Sequence, residues 1–310
     1  MNTVDRVAVC SRSFSKNEVL RQNLLSRYER VTFNENGLKL EGDSLVEFLK
    51  GHCKAIVALE EITDGILSQL PELKVISKYG VGVDMIDIDA MRRRGVCLGW
   101  TGGVNRRSVA EMVVSISVSM LRHFPTAQRE VAAGNWRQIT GGLLSGRIVG
   151  IVGCGFIGKD LATLLRPWGC KILVNDIVDF PEFYSENNIE AVSLEELLRR
   201  SDIVTLHIPL NESTHNILSG ARLRMMKSSA ILINAARGGL VDEDELKLML
   251  QSNRLAAAAC DVFNHEPPTD MELINLPNFF ATPHIGGSAE ESILAMGKAA
   301  IAGLNECKIP

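Results

Sequence analysis

The stretch from Ile148 to Asp176 constrains this chain more tightly than any other. Ile148-Val149-Gly150-Ile151-Val152 is an apolar run suited to a buried strand. Gly153-Cys154-Gly155-Phe156-Ile157-Gly158 follows as a GxGxxG turn into a helical stretch over Lys159–Arg166. Pro167 and Gly169 end that helix, Lys171–Asn175 is the next strand, and Asp176 stands at its end. The first glycine makes the tight turn, the second lets a pyrophosphate approach the backbone, and the third lets helix pack on strand. The helix N-terminus adds free N–H groups and the positive end of its dipole. Asp176, 18 residues after Gly158, is placed to accept hydrogen bonds from ribose hydroxyls. A carboxylate there repels a 2′-phosphate, and Ile177-Val178 supply no arginine to hold one. The sequence therefore predicts a dinucleotide site that prefers NAD to NADP.

Apolar runs and helical stretches alternate along almost the whole chain, which predicts parallel α/β sheets. Strands are expected at Val7–Cys10, Val31–Phe33, Ala55–Leu59, Val75–Ser77 and Val96–Leu98, with helices near 17–28, 43–51, 62–69 and 86–94. A long helical segment is expected from about Ser108 to Gly134, poor in charge before Arg122 and so buried between domains or against a second subunit. Further strands fall at 203–206, 230–234, 255–260 and 279–281, with helices at Ser193–Arg200, Asp242–Gln251 and Ala289–Asn305. Ser193 with Glu196 reads as a capping box. The expected fold class is α/β, with two doubly wound parallel-sheet domains. A Rossmann domain over 100–285 is inserted into a flavodoxin-like domain made of 1–99 and 286–310.

With 310 residues and 46% hydrophobic content the chain can bury two cores. A net charge of −4 argues against nucleic acid or an anionic membrane as partner. No apolar run reaches the roughly 18 residues that span a bilayer. Met1–Arg6 leads straight into a strand and has no apolar stretch of the signal-peptide kind. The seven cysteines are odd in number, show no CxxC spacing and lie mostly in apolar strands. Reduced thiols in a cytoplasm and no metal site are expected. Cys154, in the glycine turn, is either a redox-sensitive thiol or a small residue at a variable loop position.

In open α/β sheets ligands bind beyond the carboxyl ends of the strands. Arg237 follows the strand Ile231–Asn234, Glu266 follows Ala257–Val262, and His284 follows Phe279–Ala281. Each has an ordinary alternative as a loop cap, a surface ion pair or a packed loop residue. Together, in glycine- and proline-rich turns, they suit acid–base work. A guanidinium holds a carboxylate with two parallel hydrogen bonds. An imidazole passes a proton near neutral pH, and a neighbouring carboxylate orients it.

These motifs carry a resemblance. Val152–Gly158, Asn234-Ala235-Ala236-Arg237-Gly238-Gly239, Asp261-Val262-Phe263 with Glu266-Pro267, and Pro283-His284-Ile285-Gly286 make the chain resemble the D-isomer-specific 2-hydroxyacid dehydrogenases over essentially its whole length. The resemblance implies NAD-dependent interconversion of a D-2-hydroxy acid and its 2-oxo acid, with Arg237, Glu266 and His284 as catalytic residues. It implies cofactor contacts at Gly153, Gly155, Phe156, Ile157, Gly158, Asp176, His207, Pro209, Thr214, Ala235, Arg237, His284 and Gly286, with Asp261 near the nicotinamide carboxamide. It implies substrate contacts at Lys78, Val81, Gly82, Asn105, Arg237 and His284, where the N–H groups of Val81 and Gly82 grip the carboxylate. A homodimer built on the segment 100–145 is also implied.

Within that family Lys78–Asp84 and Gly134-Asn135-Trp136 are similar to the phosphoglycerate-dehydrogenase-type members. Since the chain stops at Pro310, their regulatory domains are not expected. Two stretches depart from the pattern. Glu60-Glu61 stand where many such enzymes place an arginine for the phosphate, and an acid at ~4 Å would repel it by about 1–4 kcal/mol. Trp100 and Arg106-Arg107 stand where an Asn-Thr-Pro-Gly turn with few bases is common, either meeting substrate or lying on a solvated turn. Glyoxylate/hydroxypyruvate, formate and phosphite dehydrogenases share the scaffold, as do NAD-sensing corepressors.

Overall fold

The computed structural model describes residues 3–310, with side chains from Asp5 onward. Its contacts divide the chain into two units, one of residues 1–105 with 289–310 and one of residues 106–288.

The first unit holds β1 (Thr3–Val9), β2 (Tyr28–Phe33), β3 (Lys54–Val57), β4 (Val75–Lys78) and β5 (Cys97–Gly99). They pair in the order β2-β1-β3-β4-β5, all parallel, which is the flavodoxin-like order. β3 and β4 are buried almost throughout, as strands covered on both faces must be. One face is covered by the helices Gly42–Leu49, Asp64–Ser68 and Ile88–Arg94, whose Leu45, Leu49, Leu67 and Met91 join a core with Ala8, Ala55 and Ile76. Ala300, Ile301 and Leu304, near the end of the chain, close the other face against Val7, Val9, Phe14 and Leu20.

The second unit holds β6 (Ile148–Val152), β7 (Lys171–Asn175), β8 (Ile189–Ala191), β9 (Ile203–Leu206), β10 (Ile231–Asn234), β11 (Ala257–Cys260) and β12 (Phe279–Ala281). The order β12-β11-β10-β9-β6-β7-β8 is parallel throughout and extends the Rossmann order by one strand. Strand order reverses beside β6, so the turn after β6 opens at the switch point where such sheets bind ligands.

Three local expectations are corrected. The helix expected over 108–134 is two, Arg106–Leu121 and Phe124–Ala132. His123 adopts φ 55°, and Pro125 has no N–H to extend the ladder. The helix expected from Lys159 starts at Phe156 and ends at Leu165, where a short 3-10 turn takes over. The capping box at Ser193 is half made. The Ser193 hydroxyl accepts from Glu196 N at 3.2 Å, but the Glu196 carboxylate pairs with Arg200 at 2.6 Å. An ion pair one turn along competes for the side chain that the box requires.

Candidate active site

The glycine turn is shaped by what a side chain would collide with. Gly153 has φ +99°, and a Cβ there would lie 2.6 Å from the His207 carbonyl oxygen. A Cβ on Gly158 would lie 2.1 Å from the Gly153 carbonyl oxygen, so the helix packs on the turn only with glycine at that place. Gly155 differs, because nothing stands within 4 Å of its absent Cβ. The turn therefore presents open space in front of the first helical N–H groups, at Phe156 and Ile157, as a pyrophosphate needs. The residues fit the dinucleotide that the sequence implies.

Asp176 does more at the end of β7 than the sequence indicates. Its Oδ2 accepts from Cys154 N at 2.5 Å and its Oδ1 from Val178 N at 2.9 Å. It thus ties the glycine turn to the loop after β7, and each oxygen keeps a lone pair for a sugar hydroxyl. His207, after β9, lies beside this turn. Burial pushes it down to about 3, so its ring is neutral, with Nε2 3.0 Å from Thr205 Oγ1 and Nδ1 buried without a partner. Such a ring offers a hydrogen bond but no charge. Thr214 donates to the Pro209 carbonyl at 2.8 Å and accepts from Asn211 N at 2.8 Å, so its hydroxyl is engaged in bracing its own turn.

Cys154 is fully buried, and burial raises its thiol to about 11. At pH 7, four units lower, about one molecule in 10⁴ carries the thiolate. This favours the small-residue reading over the redox one. Iodoacetamide at neutral pH is expected to leave Cys154 unmodified while half-buried Cys53 reacts, as read by peptide mass spectrometry. Modification becomes appreciable only as the pH approaches 11. Rapid labelling of Cys154 at pH 7 would contradict that reading.

Three further turns converge beyond the carboxyl ends of β10, β11 and β12. Arg237 sits in a turn closed by Asn234, whose Nδ2 donates to the Arg237 carbonyl at 2.8 Å and whose Oδ1 accepts from Ala236 N at 3.2 Å. Its Nη1 donates to the Ala236 carbonyl at 2.6 Å. Glu266 Oε2 lies 2.8 Å from His284 Nδ1, while Oε1 accepts from Phe263 N at 3.2 Å. Both members of that pair are partly solvent-exposed. His284 itself adopts φ 54°, a conformation that strains a residue with a side chain.

Asp261 over-determines that strained turn. It is 2% exposed, and its Oδ1 accepts from Thr282 Oγ1 at 2.6 Å and from Ile285 N at 2.8 Å. Its Oδ2 accepts from Gly286 N at 2.8 Å. Ser108 Oγ donates to the Gly286 carbonyl at 2.6 Å, pinning the same turn to the helix 106–121. A second brace joins the neighbouring turns, since Asn264 Oδ1 accepts from Gly239 N at 2.6 Å and Asn264 N donates to Glu243 at 2.8 Å. The bracing parts of Asn234, Asn264 and Asp261 were missed from sequence, although all three lie inside the motifs. For Asn234 and Asp261 the only signal was a polar residue at the buried end of an apolar strand, and exposed Asn264, in the loop beyond β11, gave none.

In the first unit, Lys78 ends β4 almost fully buried. Its ammonium donates to the Ala58 carbonyl and lies 3.4 Å from Met85 Sδ. Glu60 folds back so that Oε2 accepts from Ala58 N at 2.6 Å. Val81 and Gly82 lie in a half-buried loop after β4, and the side-chain oxygen of Asn105 is buried without a partner. In the second unit Arg107 pairs with Asp160 at 2.8 Å, so that guanidinium is already occupied. Among the described residues no helix is long and apolar enough to cross a membrane, and no cluster of side chains would hold a metal ion.

A Rossmann-ordered sheet with an open glycine turn, and an imidazole–carboxylate pair at its carboxyl edge, defines a dinucleotide-dependent oxidoreductase of the α/β class. Residues 114–286 match the NAD-binding domain of the D-isomer-specific 2-hydroxyacid dehydrogenases. The chain belongs to that family, and its cofactor is NAD. It is 33% identical over 282 residues to a hydroxypyruvate reductase of Thermotoga maritima, covering 89% of this chain and 90% of that one. It is also 33% identical to the D-3-phosphoglycerate dehydrogenase of Methanocaldococcus jannaschii over 90% of this chain, but spans only 54% of that protein's length. Among solved structures, the D-lactate dehydrogenase of Aquifex aeolicus complexed with NAD and lactic acid superposes with a TM-score of 0.83 at 25% identity, over 96% of this chain and 93% of that one.

Proposed function

We propose that this protein interconverts a D-2-hydroxy acid and its 2-oxo acid, with the unit 106–288 holding NAD and the other unit holding the acid. The observation that carries this reading is the His284–Glu266 pair at 2.8 Å, on the carboxyl edge of the same sheet that bears the open glycine turn. Glu266 engages Nδ1 and so leaves Nε2 to face the reacting oxygen. In the oxidation, Nε2 takes the hydroxyl proton of the substrate; in the reduction, the protonated ring returns it. The Arg237 guanidinium grips the substrate carboxylate and turns C2 toward the cofactor face. NAD, when bound, supplies the hydride chemistry at C2. Asp176 selects NAD by its charge and its hydrogen bonds to the ribose. An Asp176→Ala variant is expected to use NADPH better relative to NADH in a comparison of kcat/KM, and an unaltered ratio would count against this role.

The acids at the end of β3 favour a non-phosphorylated substrate such as hydroxypyruvate or glyoxylate over a phosphoglycerate. Glu60 is held there by Ala58 N, and Glu61 lies beside it. NADH oxidation with hydroxypyruvate, glyoxylate, 2-oxoglutarate and 3-phosphohydroxypyruvate tests both points. Turnover on one names the class. NADH binding without turnover on any would favour a sensing role of the corepressor kind.

The assembly we propose is a cytoplasmic homodimer joined through the segment 124–143. The helix Phe124–Ala132 buries none of its residues within the chain. Phe124, Val131, Trp136 and Leu143 are between 51% and 88% exposed, an apolar face of the kind that a second copy covers. Sedimentation at about twice the 33.9 kDa chain mass is the expected result.

A further inference from the structure

Trp100 follows β5, and its indole Nε1 donates to the Val81 carbonyl at 2.9 Å. That carbonyl and the N–H of Gly82 belong to one planar trans peptide and point in opposite directions. Holding the oxygen therefore aims the Gly82 N–H away from the indole. Neither Val81 N nor Gly82 N has a protein partner among the described residues, so the loop presents two free donors.

The indole is anchored from behind. A Cβ on Gly99 would lie 2.1 Å from the Gly303 carbonyl oxygen, so β5 runs in direct backbone contact with the end of the helix Glu290–Gly303. Ser77 Oγ bonds the Ala300 carbonyl at 2.6 Å and fastens the same helix to β4. Residue 100 thus leaves a rigid corner, while the loop that it grips contains Gly80 at φ +127° and carries no regular structure.

We propose that Trp100 is a positioning residue for substrate recognition. Its N–H fixes the Val81–Gly82 peptide plane, so that the loop donors converge on the carboxylate of the 2-oxo acid. This rests on the reading that the loop grips that carboxylate.

The test exploits ring geometry. Nε2 of a histidine occupies the ring position of the indole Nε1, so Trp100→His keeps a donor where Trp100→Phe keeps an aromatic ring without one. On the NADH complex, Trp100→Phe is expected to raise KM for the preferred 2-oxo acid roughly 3- to 10-fold, the weight of one neutral hydrogen bond. Kcat and NADH affinity should stay near wild type, and Trp100→His should recover most of the loss. Oxamate, an inert carboxylate probe, should show the same order by titration against bound NADH. Equal impairment of the Phe and His variants, or no change in either, would overturn the proposal. A wild-type protein that binds neither 2-oxo acid nor oxamate would instead refute the substrate reading beneath it, and the two failures are told apart on wild type alone.

Discussion

Replacing His284 with alanine is expected to lower kcat by about 10²–10⁴-fold, the usual contribution of a positioned acid–base group. NADH affinity should be largely retained, because the glycine turn and Asp176 are braced independently of this side chain. Nothing else at the carboxyl edge can replace the imidazole. Glu266 reaches His284 rather than standing in for it. The measurement is single-turnover NADH oxidation at saturating 2-oxo acid, paired with NADH titration by fluorescence. A variant that keeps near-full turnover would refute the acid–base role. Glu266→Gln is expected to have a smaller effect of the same kind, since an amide orients Nδ1 but does not stabilise the protonated ring by charge.

Asp261→Ala should be almost as damaging to turnover and more damaging to the fold. The substitution removes an acceptor from Thr282 Oγ1, Ile285 N and Gly286 N at a site that is nearly inaccessible to water. Buried donors left unpaired, and hydrogen bonds lost from a charged acceptor, together amount to about 2–4 kcal/mol. For a unit of this size that lowers Tm by roughly 5–15 °C. The turn carrying His284 would relax from φ 54° toward unstrained backbone, because the bonds that hold it there are gone. Asp261→Asn distinguishes bracing from folding. It keeps the volume but turns an amide N–H toward a backbone N–H, so it should fold yet lose most of kcat. Wild-type stability in the alanine variant would show that the turn holds itself.

The parts legible in the sequence are those in which one short segment determines its own shape. Gly153, Gly155 and Gly158 spell a turn by their spacing: Gly153 takes φ +99°, Gly158 leaves no room for a Cβ against the Gly153 carbonyl, and Gly155 keeps open space before the helix. The parallel character of both sheets was legible from alternation, since apolar runs such as Ile203–Leu206 suit strands covered by helices on both faces. Arg237, Glu266 and His284 stood out as polar residues at apolar strand ends. What stayed hidden depends on partners distant in the chain. Asp261 looked like a group aimed at cofactor, and only the fold reveals that its oxygens face residues 282–286. Arg107 looked available for substrate until Asp160, more than fifty residues on, paired with it. The break at His123 had a signal in Pro125, which cannot extend the ladder, but the apolar, charge-poor run before it hides the residue at positive φ where the first helix ends.

The packing of the C-terminal helix sets an order of events during synthesis. Residues 106–288 form a contiguous unit whose strands are all made before residue 282, so it can fold as it leaves the ribosome. The first unit cannot do so. Val7, Val9, Phe14 and Leu20 wait for Ala300, Ile301 and Leu304, and Gly297 must nest against Leu20. For roughly 280 residues of translation, the apolar side chains that this helix covers stand without it. A nascent chain is therefore most exposed to chaperone capture and to aggregation around Val7–Leu20, and release comes when the helix Glu290–Gly303 docks.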